Sequence, residues 1–262
     1  MSKSERAHYT RMPAAWVAGC SDVGLRHTSN QDALCIAVRD LADDPTALIA
    51  VADGVSTAAG SEISSSVAVE RCVSVLQDRL SQGLPENVAF VQAFSEAHRH
   101  VLEATVDGEP SACTLITAYV RTGRISIANI GDSRAYWVAD DGTCMLRSTD
   151  DSMAQARIML GMSRDDAEQG AHAHAITKWL GRDASNVTPS VTNHEPATAG
   201  WLILCTDGLW NYASAPEAMA AVFEEFRARC ERPSDIAEGL VDWANAQGGK
   251  DNTTVTVARV DV

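Results

Sequence analysis

The chain has 262 residues, 45% of them hydrophobic, and a formal net charge of −14. That length suits one large domain or two small ones and buries a core without disulfides. So acidic a balance argues against nucleic acid or an anionic membrane as partner and favours cations.

The opening segment "MSKSERAHYTRMPAAW" lacks the apolar core of a signal peptide, and no run approaches the roughly 18 apolar residues of a membrane span. The expectation is a soluble, cytoplasmic protein with a flexible tail over residues 1–13 and a single domain over 14–262. The seven cysteines include no C-x-x-C pair, and several sit inside apolar runs. They read as small buried residues of a reduced protein.

"AAWVAGCSDVG" (14–24) reads as a strand entering a turn. "DALCIAVRD" (32–40) and "TALIAVAD" (46–53) read as two more strands, separated at "LADDP". From Gly60 the apolar spacing becomes helical, with Ile63, Val67, Val69, Val73 and Leu76 recurring along one segment. A second helix begins at Pro85 and Glu86, which suit a first turn. Strands follow at "CTLITAYV", "RISIANIG" and "SRAYWV", punctuated by "RTG" and "ADDG". Residues 149–170 read as exposed helix. "WLILCTD" returns to strand, "APEAMAAVFEEFRARC" and "PSDIAEGLVDWANAQ" form a helix pair, and "NTTVTVARV" is a last strand. This order is not regular β-α-β alternation. It predicts an α+β protein with antiparallel sheet and helix pairs packed outside it.

Two apolar runs end in Asp-Gly, at Asp53-Gly54 in "LIAVADGVS" and at Asp207-Gly208 in "WLILCTDGLW". Asp32 in "SNQDAL" opens one strand, and Asp251 in "GGKDNTTVTV" precedes another. A carboxylate at the end of a buried strand is costly to keep ionised alone. Several of them converging on divalent cations would be stable. Glycine after the aspartate would let the backbone turn and bring its carbonyl close to an ion. All-oxygen ligands favour Mg²⁺ or Mn²⁺ over zinc. A single Asp-Gly is more often a simple turn; the weight lies in four motifs sharing one pattern.

With "SDVGLRHTSNQDAL", "IAVADGVSTAAGSEIS", "IANIGDSRAYWV", "ITKWLG", "LILCTDGLW" and "GKDNTTVTV" in this order, the chain resembles the bacterial metal-dependent protein phosphatases, the type 2C serine/threonine phosphatases. The resemblance runs from about residue 16 to the end. It implies a four-layer αββα sandwich, two antiparallel sheets flanked by helix pairs, with two Mg²⁺ or Mn²⁺ ions at one end. Asp53 would bridge both ions, the Gly54 carbonyl would bind one, and Asp207 and Asp251 would complete the other. Asp32 would hold metal-bound waters and orient the nucleophile. The reaction implied is hydrolysis of phosphoserine or phosphothreonine in proteins by a metal-activated water, within bacterial signalling. Phosphorylated proteins and a cognate Ser/Thr kinase are the implied partners, and a monomer is expected. The alternative is a non-catalytic module of the same fold that binds a phosphoprotein or regulatory partner, but the metal carboxylates that such a module would lose are all present.

Some relatives carry a third metal on an acid before the middle strands, where Asp107 and Glu109 are the candidates. Asp132, Ser133 and Arg134 are given no catalytic role, His172 and His174 are read as part of an exposed segment, and residues 150–186 correspond to a variable flap. The sequence departs from the pattern at Gln31, at Val55, Ser56 and Thr57, and at the phosphate-binding arginine. Counting back five from Asp32 reaches His27, with Arg26 beside it. On an extended backbone these two face opposite sides. His27 is expected in the site, with Arg26 adding charge nearby.

Overall fold

The computed structural model describes residues 7–39, 45–55, 60–104 and 111–262. Asp107, Glu109, Ser56 and Thr57 lie outside the described residues.

The six-stranded sheet has the order β1-β2-β13-β12-β8-β9, from β1 (His8–Ala14), β2 (Val17–Asp22), β13 (Thr253–Val260), β12 (Gly200–Cys205), β8 (Arg134–Ala139) and β9 (Cys144–Leu146). The five-stranded sheet has the order β11-β7-β6-β4-β3, from β11 (Ser190–His194), β7 (Arg124–Ile130), β6 (Leu115–Arg121), β4 (Thr46–Ala52) and β3 (Ala33–Arg39). All their pairings are antiparallel. A two-stranded ribbon joins β5 (Ala112–Cys113) to β10 (Leu180–Gly181).

The unbroken apolar runs mark strands buried on both faces, because successive side chains alternate between them. Along β4, Ala47, Ile49 and Val51 point between the sheets, where they meet Trp137, Leu202 and Leu204 of the other sheet. Leu48, Ala50 and Ala52 point outward under the helices α1 (Ser61–Ser81) and α2 (Glu86–Glu103), against Phe90 and Phe94. On the opposite side, Ile203, Cys205, Val255 and Val257 pack under α6 (Pro216–Arg227) and α7 (Pro233–Ala246), against Phe223, Ile236 and Leu240. The layers are therefore αββα. Each large apolar side chain fully buried in them contributes about 1.5–3 kcal/mol relative to exposure.

Residues 8–13, expected in a flexible tail, instead form most of β1, which pairs with β2 from His8↔Asp22 to Ala14↔Val17. It is an edge strand with mostly exposed or half-buried side chains, so it lacks the apolar alternation by which a strand is read. The segment 149–170, read as exposed helix, holds two short helices. Ser152 Oγ accepts from Gln155 N at 3.2 Å and starts α3 (Met153–Met159). Ser163 Oγ accepts from Asp166 N at 3.2 Å and starts α4 (Arg164–Gln169). Each serine satisfies an amide that a helix start leaves open.

Candidate active site

Strand register brings the acidic motifs to one end of the sandwich. Ala33 pairs with Ala52, so Asp32 and Asp53 emerge side by side from β3 and β4. Cys205 pairs with both Val255 and Arg134, which puts Asp207, Asp251 and Asp132 at the matching end of the other sheet. Asp207 opens the short helix α5 (Asp207–Trp210).

Hydroxyls tie the two sheet ends together. Asp32 Oδ2 accepts from Thr206 Oγ1 and Thr254 Oγ1, each at 2.8 Å, so a carboxylate of one sheet is clamped by two threonines of the other. Thr254 N donates to Thr206 Oγ1 at 3.0 Å and holds the clamp closed. Asp53 N donates to Thr114 Oγ1 at 3.0 Å, and Thr114 N returns a bond to the Asp53 carbonyl at 2.8 Å. Asn252 Oδ1 accepts from Gln31 N at 2.8 Å while its Nδ2 donates to the Val23 and Ser29 carbonyls. That staples the loop carrying Arg26 and His27 to the start of β13. In "DNTTV", then, Asp251 faces the site, Asn252 fixes the loop and Thr254 clamps Asp32.

The glycines of the two Asp-Gly pairs are required by space rather than by turn geometry. Neither has a positive φ. A Cβ at Gly54 would lie 2.6 Å from the Gln31 carbonyl oxygen, and one at Gly208 would sit on the carbonyl oxygen of Asn252. Both contacts are with backbone, which has little room to yield.

The buried carboxylates resist ionisation together. Burial, and then the charges of Asp32, Asp207, Asp132 and Asp251, hold Asp53 well above the usual carboxylate range. Burial pushes Asp32 up to about 7, with Asp207 and Asp251 adding to the shift and the two threonine hydroxyls opposing it. Asp207 is pushed up to about 6 by burial and by the Asp251 charge. Asp132, buried between β7 and β8, is raised by burial and then by Asp207 and Asp150. Asp132, assigned no catalytic role from its motif, stands in this cluster; "IANIGD" too ends an apolar strand in an aspartate.

This donor set fits hard divalent cations. Asp207 Oδ1 is buried with no hydrogen-bond donor facing it, and mutual repulsion of buried carboxylates is what a cation relieves. Among the described residues, no group of three or more acidic, histidine or cysteine side chains is placed so as to hold one metal ion.

His27 and Arg26 part company in the structure. His27 Nε2 lies 3.2 Å from Asp251 Oδ1, both side chains being partly exposed. Arg26 is exposed in the turn that precedes it. Beside Asp207 and Asp251 opens a cleft of about 460 Å³. Its flap side is lined by Asp165, Glu168, Gln169 and His174, and its core side includes Trp210, Asn211, Tyr212 and Lys250. His174 stacks obliquely on Trp210, with ring centroids 5.8 Å apart. No helix among the described residues is long and apolar enough to cross a membrane.

The family model described as "Protein phosphatase 2C" matches residues 25–245. The serine/threonine protein phosphatase PstP of Mycobacterium tuberculosis is 29% identical over 249 residues, covering 93% of this chain but 44% of that protein. The chain thus spans less than half the length of that relative. The serine/threonine phosphatase stp of Listeria innocua is 26% identical over 219 residues, covering 81% of this chain and 84% of its own. The crystal structure of the PPM Ser-Thr phosphatase MsPP from Mycobacterium smegmatis, in complex with cacodylate, matches with a TM-score of 0.73 at 27% identity. That match covers 94% of this chain and 100% of the MsPP chain.

Proposed function

The chain belongs to the protein phosphatase 2C family, a metal-dependent family, and on that premise we propose that it hydrolyses phosphoserine and phosphothreonine in protein substrates at the carboxylate end of its sandwich. The observation that carries this reading is the convergence at one end of the sandwich of Asp32, Asp53, Asp132 and Asp207, all raised by burial, with the Asp251 charge acting on Asp32, Asp53 and Asp207. A non-catalytic binding module would have no use for so costly an assembly.

Asp53, Asp207, Asp251 and the Gly54 carbonyl would hold two Mg²⁺ or Mn²⁺ ions. Bound there, the cations supply Lewis acidity toward water and phosphate oxygens. The chain's own residues do the rest. Asp32, fixed by the Thr206 and Thr254 hydroxyls, orients the attacking water by accepting its hydrogen bond. His27, against Asp251, reaches the substrate phosphate from the partly exposed rim, and Arg26 adds positive charge outside it. No nucleophilic cysteine is needed: burial raises the Cys20, Cys72, Cys113 and Cys205 thiols, which keeps them protonated. All seven cysteines are unpaired, the state a reducing compartment maintains, and this supports a cytoplasmic setting. The partners are phosphoproteins, with a Ser/Thr kinase supplying the opposing reaction, and the working unit is a monomer.

The test is phosphate release from matched phosphoserine, phosphothreonine and phosphotyrosine peptides, with Mn²⁺ and with chelator. Release from the first two with Mn²⁺ alone is expected. Release that survives chelator, or is confined to phosphotyrosine, would overturn the reading.

A further inference from the structure

The flap is joined to the core through a buried cation that the proposed chemistry does not use. Arg134 is 1% exposed and lies under the cleft. Its Nε and Nη2 donate to Asp150, with Nη2–Oδ2 at 2.8 Å, and Nη1 donates to Ser214 Oγ at 2.8 Å. Its guanidinium lies 3.7 Å from the ring centroid of Trp210, which shares helix α5 with Asp207. From the flap, Glu168 of α4 reaches into this assembly. Its Oε1 accepts from Arg134 Nη2 at 2.9 Å, and its two carboxylate oxygens accept from Ser214 Oγ at 2.8 and 2.6 Å. Among the described residues, no other side chain of α4 hydrogen-bonds outside the flap. Packing around α4 is slight: the buried cluster it shares with α3 is Ala154, Ala167 and Ala173 with Ile158 against it, and the flap meets α5 otherwise through His174 on Trp210.

Resting on the phosphatase reading above, we propose that Glu168 is a positioning residue: it latches α4 onto Arg134 and Ser214, and so holds the wall of the cleft along which a phosphopeptide approaches Asp207 and Asp251. Charge-assisted hydrogen bonds are the strong ones, and one made to a buried arginine is screened little by solvent. Removing Glu168 leaves Arg134 paired with Asp150, so the core keeps its buried ion pair while α4 loses its hold. A substrate that needs the latched wall then pays in affinity by the fraction of molecules still latched.

The test compares Glu168→Ala and Glu168→Gln with the wild-type chain, in Mn²⁺, on a phosphothreonine peptide and on p-nitrophenyl phosphate, which is too small to span the cleft. For Glu168→Ala, the peptide KM is expected to rise about tenfold, the size set by losing one charge-assisted contact. Its kcat on p-nitrophenyl phosphate should change by less than about twofold, because that substrate makes no use of the wall. Glu168→Gln, which still accepts from Arg134 and Ser214, should recover part of the peptide KM. Equal losses on both substrates, or an unchanged peptide KM, would overturn the proposal. Amide exchange over 164–169 in chelator keeps the latch separable from catalysis. Exchange should be faster in Glu168→Ala, and unchanged exchange refutes the latch whatever the activity. A wild-type chain inactive on both substrates would count against the phosphatase reading alone.

Discussion

Raising the pH of the chelator-treated protein from about 5.5 to about 8 should destabilise it, the reverse of what ordinary paired carboxylates do. In the metal-free fold Asp32 stands at about 7 and Asp207 at about 6, and Asp53 too is held well above the usual carboxylate range, mainly by burial. In the unfolded chain each returns to about 4. The folded state thus binds more protons than the unfolded state across this window. The stability these groups contribute is complete below the unfolded value and is lost as pH rises through the folded values. At about 1.4 kcal/mol per proton and pH unit, Asp32 alone accounts for a loss on the order of 2 kcal/mol between pH 5.5 and 7, with Asp207 and Asp53 adding to it. For a domain of this size each kcal/mol moves the melting midpoint by about 2–4 °C, so a fall of at least about 5 °C is expected. The assay is thermal unfolding across that pH range in chelator and in Mn²⁺. Cations replace protons on the cluster, so the gap between the two curves should widen with pH. A midpoint in chelator that holds steady or climbs from pH 5.5 to 8 would refute the idea that these carboxylates are buried against one another.

Asp207→Asn removes a charge without changing shape. It should lower kcat in Mn²⁺ more than about a hundredfold, the scale of losing cation-derived transition-state stabilisation, while the melting midpoint in chelator holds or rises. A lower midpoint would show that Asp207 is a structural residue instead. His27→Ala should raise the phosphopeptide KM more than it lowers kcat, and Arg26→Ala should do less. The two KM values compared on one peptide decide it, and a worse Arg26 variant would make Arg26 the phosphate ligand. Gly208→Ala would push a methyl into the Asn252 carbonyl and should cost about 1–3 kcal/mol as overpacking does, read as a lower melting midpoint in chelator and in Mn²⁺ alike.

The layered fold was legible in the sequence because strands such as "TALIAVA" and "WLILC" are buried on both faces and so read as unbroken apolar runs. Elements without an apolar face were not. β1 spends most of its side chains at an edge, and β5, β10 and α5 are too short to show any period. On α1 the buried face is Ala68, Val69, Cys72, Val73 and Leu76, with Ile63 turned outward. Alanine and cysteine fill positions that a search for large apolar residues passes over.

The acidic residues that close an apolar strand were visible for the same reason as the strands. Their supports were not: Thr206 and Thr254 meet Asp32 from 174 and 222 residues away in sequence. Arg134 meets Glu168 and Ser214 from 34 and 80 residues away. Nothing in "GDSRAYW" marks its arginine as buried, since a guanidinium is rarely fully enclosed without partners that only the fold supplies.

Turnover of a phosphothreonine peptide by the wild-type chain and by Asp53→Asn, followed as Mn²⁺ is raised from full chelation to millimolar levels, tests the central claim most directly. The structure places Asp53 where burial and four neighbouring aspartates act on it. No turnover in chelator, a saturable rise for the wild type, and no comparable rise for Asp53→Asn are therefore expected. Turnover by Asp53→Asn matching the wild type at any Mn²⁺ concentration, or wild-type turnover under full chelation, would contradict it.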